Sequence, residues 1–355
     1  MKYCDAYPVP NNLPGMNQLK VSIIISVYNG NEFLKDIEQY LEKQSFDDYE
    51  VLFVVDSRCN DGSLEEITKY CAVNEKARFT IQKERTKLGG AKNIGIEESR
   101  GKYLWFLDID DIPSYDFLKI MVEAKESMQS DIAICNFQFT DDKSWTAPVN
   151  NELMIMSGRS ALHARSLNLI PVTSWSMLYD KDLIVKNGIR FEEMLAEDVA
   201  FTYLSLNVCE KVCYVPAPIY GYYQNPNSLC KTNKDERGKS EFDSYLHLSK
   251  KFPKDDRYLQ NRFCLVGMRS LAHMTVKGFV SMMGDERLKT FAKTYLTTMG
   301  IIEYRLMRIF PRIYHTGVNW YIKHFYCRVG RVYTDKGKMK TLKKIVANEK
   351  KEQGF

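Results

Sequence analysis

Hydrophobic and polar positions in the first part of the chain follow the order strand, helix, strand. Residues 21–28 are apolar and β-branched almost throughout, as is typical of a strand covered on both faces of a parallel sheet. Residues 32–43 carry apolar side chains at helical spacing, and residues 49–55 form a second, mostly apolar run. These three segments predict a βαβ unit.

The alternation continues beyond this unit. Further helices are predicted at 64–73, 91–99, 117–127, from near Asp180 and at 193–207, and further strands at 79–82, 103–107 and 131–139. We therefore predict an α/β fold with a doubly wound, mostly parallel, Rossmann-like sheet. From about residue 231, charged, Met-rich and aromatic helical segments replace the alternation. The predicted regions are a lead-in at 1–20, an α/β domain at 21–235 and a helical, basic C-terminal region at 236–355.

Three polar loops follow predicted strands. They contain Tyr28 and Asn29 after the first strand, residues 56–63 after the second and residues 108–111 after the fourth. Ligands of open parallel sheets bind beyond the carboxyl ends of the strands, where such loops converge. The sequence therefore predicts a ligand site at this edge of the sheet.

Asp108 and Asp110 carry the chemistry of the third loop. Side chains at i and i+2 of an extended segment share a face, so the two carboxylates repel each other unless a cation joins them. Oxygen ligands suit Mg²⁺ or Mn²⁺, which bind through one or two carboxylates together with substrate phosphates. Asp-x-Asp is common in surface turns, but here it directly follows the apolar run YLWFL. We therefore predict a metal–diphosphate site.

Asp198, preceded by Glu197, is a second carboxylate candidate. It lies in the first turns of a predicted helix, where it could act as a general base and take a proton from an attacking hydroxyl. The alternative is that both acids only stabilise the helix through its dipole. The residues alone favour this second interpretation.

Charge is distributed unevenly along the chain. Residues 305–355 hold 13 Lys and Arg against 3 Asp and Glu, although the whole chain has a net charge of only +5. The basic residues of this tail are interleaved with aromatic ones, among them Trp320, Tyr321, Phe325 and Tyr326. Such a tail could lie on an anionic membrane surface or meet a polyanion, and the alternative is a solvated helical face. Nucleic acid is not the expected partner.

Several classes of protein are excluded by composition. With 45% apolar and 27% charged residues, the chain is neither disordered nor of low complexity. Its apolar stretches are shorter than a membrane span, and its N-terminal residues do not resemble a secretory signal, so we expect a cytoplasmic protein. The nine cysteines are scattered without a Cys-x-x-Cys pair, which favours free, mostly buried thiols.

Residues 21–228 resemble the family-2 glycosyltransferases, the large GT-A group that transfers sugars from nucleotide-sugar donors with inversion. The resemblance covers about 60% of the chain. It rests on ISVYN at 25–29, QSFDDYEV at 44–51, VDSRCNDGS at 55–63, LGGAKNIGI at 88–96, GKYLWFLDIDD at 101–111 and AEDVA at 196–200. The resemblance implies a GT-A fold and a divalent cation, Mn²⁺ or Mg²⁺, as cofactor.

The resemblance also implies a nucleotide-sugar site. Its members would be Ser26, Tyr28, Asn29, Asp56, Ser57, Lys92 and Asp108. Ser26 and Tyr28 would line the pocket of the base, and Asp56 with Ser57 would hold its edge. The family commonly has two consecutive acids where this chain has Asp56 and Ser57, and often has proline in place of Ser26. Uridine is the expected base.

The same resemblance assigns the reacting groups. Asp108 would approach the ribose and the metal, Asp110 would be the main metal ligand, and Asp198 would be the catalytic base. Trp175 and Glu197 are candidates on the acceptor side, although a core position is at least as good an interpretation of Trp175.

The predicted function is therefore inverting glycosyl transfer from a nucleotide sugar, with UDP as the expected nucleotide. The acceptor would be a hydroxyl of a glycan, lipid-linked in many family members, in cell-surface polysaccharide synthesis. The protein would work in the cytoplasm, with peripheral contact to the inner face of the plasma membrane through the C-terminal region. Two alternatives stay open: a sugar nucleotidyltransferase, and a non-catalytic carbohydrate-binding protein on a transferase-like fold.

Overall fold

The computed structural model describes residues 19–83, 87–142, 147, 152–321 and 336–352, and within them nine strands form one sheet. The strands are β1 (Val21–Val27), β2 (Tyr49–Asp56), β3 (Ala77–Gln82), β4 (Tyr103–Phe106), β5 (Ile112–Pro113), β6 (Ile132–Thr140), β7 (Met154–Ser157), β8 (Met177–Asp180) and β9 (Lys211–Tyr223). Their order across the sheet is β3-β2-β1-β4-β8-β6-β9-β5, and β7 pairs with β9.

Strands β1 to β4 are parallel, which explains their nearly continuous apolar sequences. Ile24 lies opposite Leu52 on one side and Phe106 on the other, and all three belong to one buried cluster. The neighbouring residues Ile23 and Trp105 belong to a second cluster on the opposite face. Because successive side chains of a strand alternate between faces, a sheet covered on both sides needs apolar residues at every position.

The direction changes beyond β4. Strand β8 is antiparallel to both β4 and β6, whereas β9 is parallel to β6, and the edge strands β5 and β7 are antiparallel to β9. The sheet is therefore mixed, with β1, β2, β3, β4, β6 and β9 running in the same direction. This arrangement confirms the predicted α/β class and the mostly parallel sheet.

Helices cover both faces of the sheet and form the C-terminal part of the chain. Those of the first part are α1 (Asn31–Glu42), α2 (Ser63–Val73), α3 (Leu88–Glu98), α4 (Phe117–Ser127), α5 (Gly158–Ser166), α6 (Lys181–Lys186) and α7 (Glu197–Val208). Those that follow β9 are α8 (Leu229–Thr232), α9 (Lys234–Lys251), α10 (Arg257–Ser270), α11 (Val276–Met282), α12 (Glu286–Tyr295), α13 (Thr298–Ile309), α14 (Pro311–Tyr321) and α15 (Lys336–Glu352). Short 3₁₀ helices lie at Ser174–Ser176 and Leu271–His273.

The C-terminal helices share a core with the sheet. Phe106 of β4, Tyr203 of α7 and Phe263 of α10 belong to the same buried cluster. Leu342 of α15 is fully buried in it, and α15 packs against α5. The boundary predicted near residue 235 falls in the first turn of α9 and stays a prediction. No helix in the described part of the chain is both long and apolar enough to cross a membrane.

Some sequence predictions concern residues that the structure leaves out. Residues 1–18 of the lead-in, and Phe325 and Tyr326 of the basic tail, lie outside the described residues. The cysteines that are described in full are free thiols: Cys59, Cys71, Cys135, Cys209, Cys213 and Cys264.

Helix α3 lies close to the sheet at Gly95. A Cβ atom on Gly95 would be 2.2 Å from Cγ2 of Ile24 on β1, which is far inside van der Waals contact. By contrast, a Cβ atom on Gly317, in the interior of α14, would have no atom within 4 Å. Alanine substitutions at these two glycines can therefore distinguish the effect of packing on stability from the effect of helix propensity.

We expect Gly95→Ala to lower the free energy of unfolding by about 1–3 kcal/mol, because the added methyl group overpacks the contact with Ile24. Gly317→Ala is the control, and it should leave stability unchanged or raise it by up to about 1 kcal/mol, since alanine is the better helix former. Thermal denaturation followed by circular dichroism measures both. Equal melting temperatures of the two variants would contradict this account of the α3–β1 contact.

Candidate active site

The loops after β1 and β2 are tied together at one edge of the sheet. Asn29 adopts a left-handed backbone conformation with a φ of 51°, and its Oδ1 accepts a hydrogen bond of 3.0 Å from the Asn60 backbone N–H. The Asn31 backbone N–H donates to Asp61 Oδ2 at 2.9 Å. These bonds fix the two loops against each other at this edge of the sheet.

Asp56, the last residue of β2, is held by Arg58. Its Oδ1 accepts hydrogen bonds from the backbone N–H of Arg58 at 2.9 Å and from Nε at 2.8 Å, and its Oδ2 pairs with Nη2. The hydrogen bonds from Arg58 hold the pKa of the Asp56 carboxyl below its usual range. A ligand at this point therefore meets a carboxylate–guanidinium pair. Arg58 was not among the predicted site residues, because an arginine in a loop has no spacing that reveals its partner.

The other predicted members of the base pocket surround this pair. The ring centroid of Tyr28 lies 5.4 Å from Cζ of Arg58, and Tyr28 is 55% exposed. Ser57 is exposed, whereas the hydroxyl of Ser26 at the end of β1 is buried with no hydrogen-bond partner among the described residues. The structure thus brings the residues predicted after β1 and β2 together, and it leaves one buried hydroxyl there without a protein partner.

Lys92 occupies the centre of the site. It lies on α3 and is buried, and its Nζ is 2.8 Å from Oε1 of Glu197 and 3.2 Å from Oδ1 of Asp198. Oδ1 of Asp108 is 3.9 Å away, and Ser174 Oγ lies at 3.1 Å. One cation therefore joins carboxylates from the loop after β4 and from the first turn of α7.

The sheet topology explains how these residues meet. Strand β8 is antiparallel to β4, with Leu178 opposite Trp105, so the segment before β8 lies beyond the carboxyl end of β4. This segment contains Ser174, whose hydroxyl donates a 2.6 Å hydrogen bond to Oδ1 of Asp198. The first turn of α7 is thereby placed above the same edge of the sheet as Asp108.

Burial and charge shift the pKa values within this cluster. Burial by itself lowers the pKa of Lys92, but the carboxylates of Asp198, Glu197 and Asp108 outweigh it and raise the pKa well above the usual value. Burial raises the pKa of Glu197 to about 7 and that of Asp108 to about 6, against the opposing effect of Lys92. Three carboxylates around one ammonium group leave an excess of negative charge, which a further cation would offset.

The loop that contains Asp110 and Asp111 is fastened to the end of β9. Asp111 is buried, and it accepts hydrogen bonds from Tyr220 Oη at 2.7 Å and from the backbone N–H of Tyr223 at 2.9 Å. Asn225 Nδ2 donates to Asp110 Oδ2 at 2.9 Å. Burial, together with Asp108 and Asp110, raises the pKa of Asp111 well above its usual range. Asp111 therefore anchors the loop, whereas Asp110 is partly exposed.

Asp108 and Asp110 fit a hard divalent cation. Both offer oxygen ligands only, the side chain of Asp108 keeps 29% of its surface exposed, and the surrounding charge is negative. Within the described residues no three His, Cys, Asp or Glu side chains are arranged to hold a metal by themselves. Mn²⁺ or Mg²⁺ would therefore need phosphate oxygens and water to complete its ligands, as is usual for such ions in diphosphate sites.

The two residues predicted on the acceptor side are buried. Trp175 is 4% exposed and stacks on Tyr220 at a centroid distance of 4.4 Å, and its carbonyl oxygen accepts a hydrogen bond from Trp105 Nε1. Glu197 is 4% exposed and is paired with Lys92. The structure favours the core interpretation of Trp175, and the acceptor role of both residues stays a prediction.

Other contacts in the site were not evident from the sequence. Ser174, Tyr220 and Asn225 each bind a carboxylate at the edge of the sheet. The Tyr220 ring stacks on Trp175, and its hydroxyl also binds Asp111. No local pattern reveals a bond between residues more than 100 positions apart.

A comparison with protein families matches residues 22–187 to the model described as Glycosyl transferase family 2. A relative from Bacillus subtilis (strain 168), named uncharacterized glycosyltransferase EpsJ, is 29% identical over 220 residues, which is 59% of this chain and 62% of EpsJ. Poly(ribitol-phosphate) beta-N-acetylglucosaminyltransferase TarS from Staphylococcus aureus (strain MW2) is 26% identical over 206 residues, 53% of this chain and 33% of TarS. The match thus spans less than two thirds of the length of these relatives.

Solved structures extend the likeness of the fold into the C-terminal helices. A crystal structure of residues 1–349 of S. aureus TarS in complex with UDP-GlcNAc has a TM-score of 0.64 at 16% identity, and covers 89% of this chain and 91% of that one. The mannosyltransferase PcManGT from Pyrobaculum calidifontis, in complex with GDP-Man and Mn²⁺, has a TM-score of 0.54 at 12% identity, and covers 86% and 87%. The family match and the motifs at the sheet edge show that residues 22–187 form a family-2 glycosyltransferase domain, and the likeness to solved structures shows that the chain has a GT-A fold.

Proposed function

We propose that this protein transfers a sugar from a nucleotide-sugar donor to a hydroxyl of a glycan acceptor and inverts the anomeric centre. The observation that carries the proposal is the cluster in which Lys92 joins Asp108 to Asp198. It brings a carboxylate suited to a metal–diphosphate complex and a carboxylate suited to a general base to the same edge of the sheet.

The donor side of the cleft is formed by the loops after β1, β2 and β4. Ser26, Tyr28 and Asn29 would line the nucleotide pocket, and the pair of Asp56 and Arg58 would face the edge of the base. We propose UDP as the nucleotide, which is supported by the likeness to TarS, a protein whose structure contains UDP-GlcNAc. PcManGT binds GDP-Man on a similar fold, so guanosine donors belong in any test.

Asp110 and Asp108 would hold Mn²⁺ or Mg²⁺ together with the diphosphate of the donor. The bound ion would act as a Lewis acid that stabilises the negative charge developing on the leaving nucleotide. Residues of this chain hold the two metal-binding carboxylates in position. Asp111, bound to Tyr220 and to the backbone of Tyr223, fixes the loop, and Asn225 orients Asp110.

Asp198 would accept the proton of the acceptor hydroxyl. Its described hydrogen bonds, from Lys92 Nζ at 3.2 Å and Ser174 Oγ at 2.6 Å, both end on Oδ1. Oδ2 is therefore the oxygen that can meet the attacking hydroxyl. Because two donors hold Oδ1, the carboxylate keeps one orientation. The acceptor would attack from the side opposite to the leaving group, as inversion requires.

The acceptor and the place of action belong to the same proposal. We propose a glycan hydroxyl, on a lipid-linked or otherwise surface-bound chain, as part of cell-surface polysaccharide synthesis. The name of TarS, which describes transfer to a poly(ribitol-phosphate), supports an anionic polymer as one acceptor class to test. We further propose that the protein acts in the cytoplasm and contacts the membrane peripherally through its basic C-terminal region.

A donor screen tests the transferase reaction directly. Purified protein is incubated with Mn²⁺ and a panel of UDP- and GDP-sugars, with and without chelator, and release of the nucleoside diphosphate is followed. Metal-dependent release from one donor would support transfer and name that donor. If no donor reacts, calorimetry with UDP and Mn²⁺ decides whether the site binds nucleotide at all, and absence of binding would contradict the proposal.

We expect Asp198→Asn to lower turnover by about 10²-fold or more, because the amide keeps the shape of the side chain but cannot act as a base. Binding of UDP in the presence of Mn²⁺ should stay close to that of the unmodified protein. Asp182→Asn is the matched control, since Asp182 is an exposed carboxylate on α6 that pairs only with Lys186 among the described residues. Turnover of Asp198→Asn at the level of this control would remove Asp198 from the mechanism.

We expect Asp110→Ala to abolish the metal dependence of nucleotide binding, because it removes the main protein ligand of the ion. Calorimetric titration of UDP with and without Mn²⁺ measures this effect, and Asp182→Ala should retain the full difference between the two conditions. Tight, Mn²⁺-dependent binding by Asp110→Ala would show that other groups hold the ion.

A further inference from the structure

Helices α13 and α14 expose an apolar face, which we call the α13–α14 face. Its residues are Met299, Ile302, Leu306, Ile309, Phe310 and Ile313, each between 46% and 73% exposed. Within α13, Met299, Ile302, Leu306 and Ile309 recur at intervals of three and four residues, so they lie along one side of that helix, whereas Phe310 lies at the junction and Ile313 in the first turn of α14. Contiguous exposed apolar surface of this kind marks an interaction site on a folded protein.

The charges beside this face are of one sign. Arg305, Arg308 and Arg312 are exposed between its apolar residues. The only acid between residues 298 and 321 is Glu303, and it is occupied by Arg269 at 2.7 and 2.8 Å and by the Tyr314 hydroxyl at 2.6 Å. A second copy that used the same face would bring arginines against arginines. An anionic surface is the complementary partner.

A cavity of about 510 Å³ opens between α12 and α13 beside this face. Lys293, Arg305 and Arg308 line it together with Ile301 and Ile309, so it has a cationic and an apolar wall. Ile309 also belongs to the α13–α14 face, and the cavity is therefore continuous with it. None of the three cations forms an ion pair with an acidic side chain in the described part of the chain.

The cavity is also lined by a tyrosine, Tyr304, whose hydroxyl is buried and unpartnered among the described residues. The side chain is only 7% exposed. Cζ of Arg308 lies 5.9 Å from the centroid of its ring. An unpartnered buried hydroxyl is costly. Because the Tyr304 side chain lines the cavity, a shift of its ring toward a bound ligand oxygen would satisfy the hydroxyl.

We infer that the cavity between α12 and α13 binds the phosphate of an anionic phospholipid while the α13–α14 face inserts among the acyl chains. Lys293, Arg305 and Arg308 supply the charge that a phosphodiester needs, and Tyr304 can donate a hydrogen bond to it. The apolar residues then lie at the depth of the upper acyl chains, as in other amphipathic helices that bind in the plane of a membrane. The inference rests on the peripheral membrane contact of the proposed function and names the surface that makes it.

Helix α15 is not part of the proposed lipid-binding surface. Although it is the most basic helix of the tail, it packs Leu342 into the shared core, and Lys343 pairs with Glu152 at 2.6 Å. The lipid-binding surface is thus assigned to α12, α13 and α14 rather than to the basic residues of the tail as a whole.

Flotation of the full chain with vesicles tests the inference. Vesicles of phosphatidylcholine are compared with vesicles that also contain phosphatidylglycerol. We expect Arg305→Gln/Arg308→Gln to weaken binding to the anionic vesicles by about 30-fold, from about 1 kcal/mol for each arginine at such a surface. Arg159→Gln/Arg257→Gln removes the same charge from exposed positions on α5 and α10 and should bind as the unmodified protein does.

Two further variants separate the parts of the surface. Ile309→Ser/Ile313→Ser should weaken binding to the anionic vesicles at unchanged charge, because it removes apolar area from the inserted face. Tyr304→Phe should weaken it by about fivefold if its hydroxyl binds the phosphate, whereas purely electrostatic attraction would not change. Melting temperatures and release of nucleoside diphosphate without vesicles show that each variant is folded and keeps its donor site.

The outcomes distinguish this inference from the proposals on which it rests. If the unmodified protein does not bind anionic vesicles, both the membrane contact and this surface are wrong, whatever the donor screen shows. If it binds but the arginine and isoleucine variants bind equally well, the contact lies elsewhere and the inference is overturned. If only Tyr304→Phe behaves as the unmodified protein, the cavity does not hold the phosphate and that part of the inference is wrong.

Discussion

An ammonium group buried among three carboxylates is the interaction on which the candidate site depends. Lys92 comes from α3, Asp108 from the loop after β4, and Glu197 and Asp198 from the first turn of α7. Without Lys92 these carboxylates would repel each other in a partly buried place, and without Glu197 the ammonium would lose its shortest ion pair. Removal of one partner of a buried pair costs about 3–5 kcal/mol, so each group holds the others in place. Because three carboxylates surround one ammonium group, negative charge remains, and this charge suits the site to a divalent cation.

The same cluster shows what could be predicted from the sequence. Strands β1, β2 and β4 were predicted within a residue or two because each is continuously apolar, and the polar residues after them fall at the same sheet edge by topology alone. Asp108 and Asp110 follow from that rule together with the chemistry of close carboxylates. For Asp198, the residues alone favoured a role at the helix end, and only the resemblance assigned it to the reaction. The structure supplies the physical reason for its proximity, which is the bond to Lys92.

The contacts that the sequence did not reveal join residues far apart in the chain, and each is a contact between two particular side chains. Strand β8 has four residues and runs against its neighbours, and so short a segment has no readable period. Yet the pairing of β8 places the segment before it, so that Ser174 contacts Asp198 and Trp175 stacks on the tyrosines of β9. Arg58 illustrates a second kind of omission: it was visible in the motif but had no assigned role, because its partner Asp56 was expected to meet the base with free oxygens. The helix predicted from residue 193 begins at Glu197, since residues 193–196 form the turn that directs both acids toward Lys92.

Because the candidate site and helices α12–α14 share one buried core, the binding of a partner to these helices affects the stability of both. Phe106, which precedes the loop of Asp108, lies in the same buried cluster as Met307, which lies on the inner side of α13. The buried cluster therefore extends without a break from the candidate site to the helices that bear the exposed apolar face. By linkage, any partner that binds the folded form of α12–α14 adds its binding free energy to the stability of the whole cluster. If the α13–α14 face binds a membrane as we infer, the protein resists unfolding more strongly in the bound state than after its release.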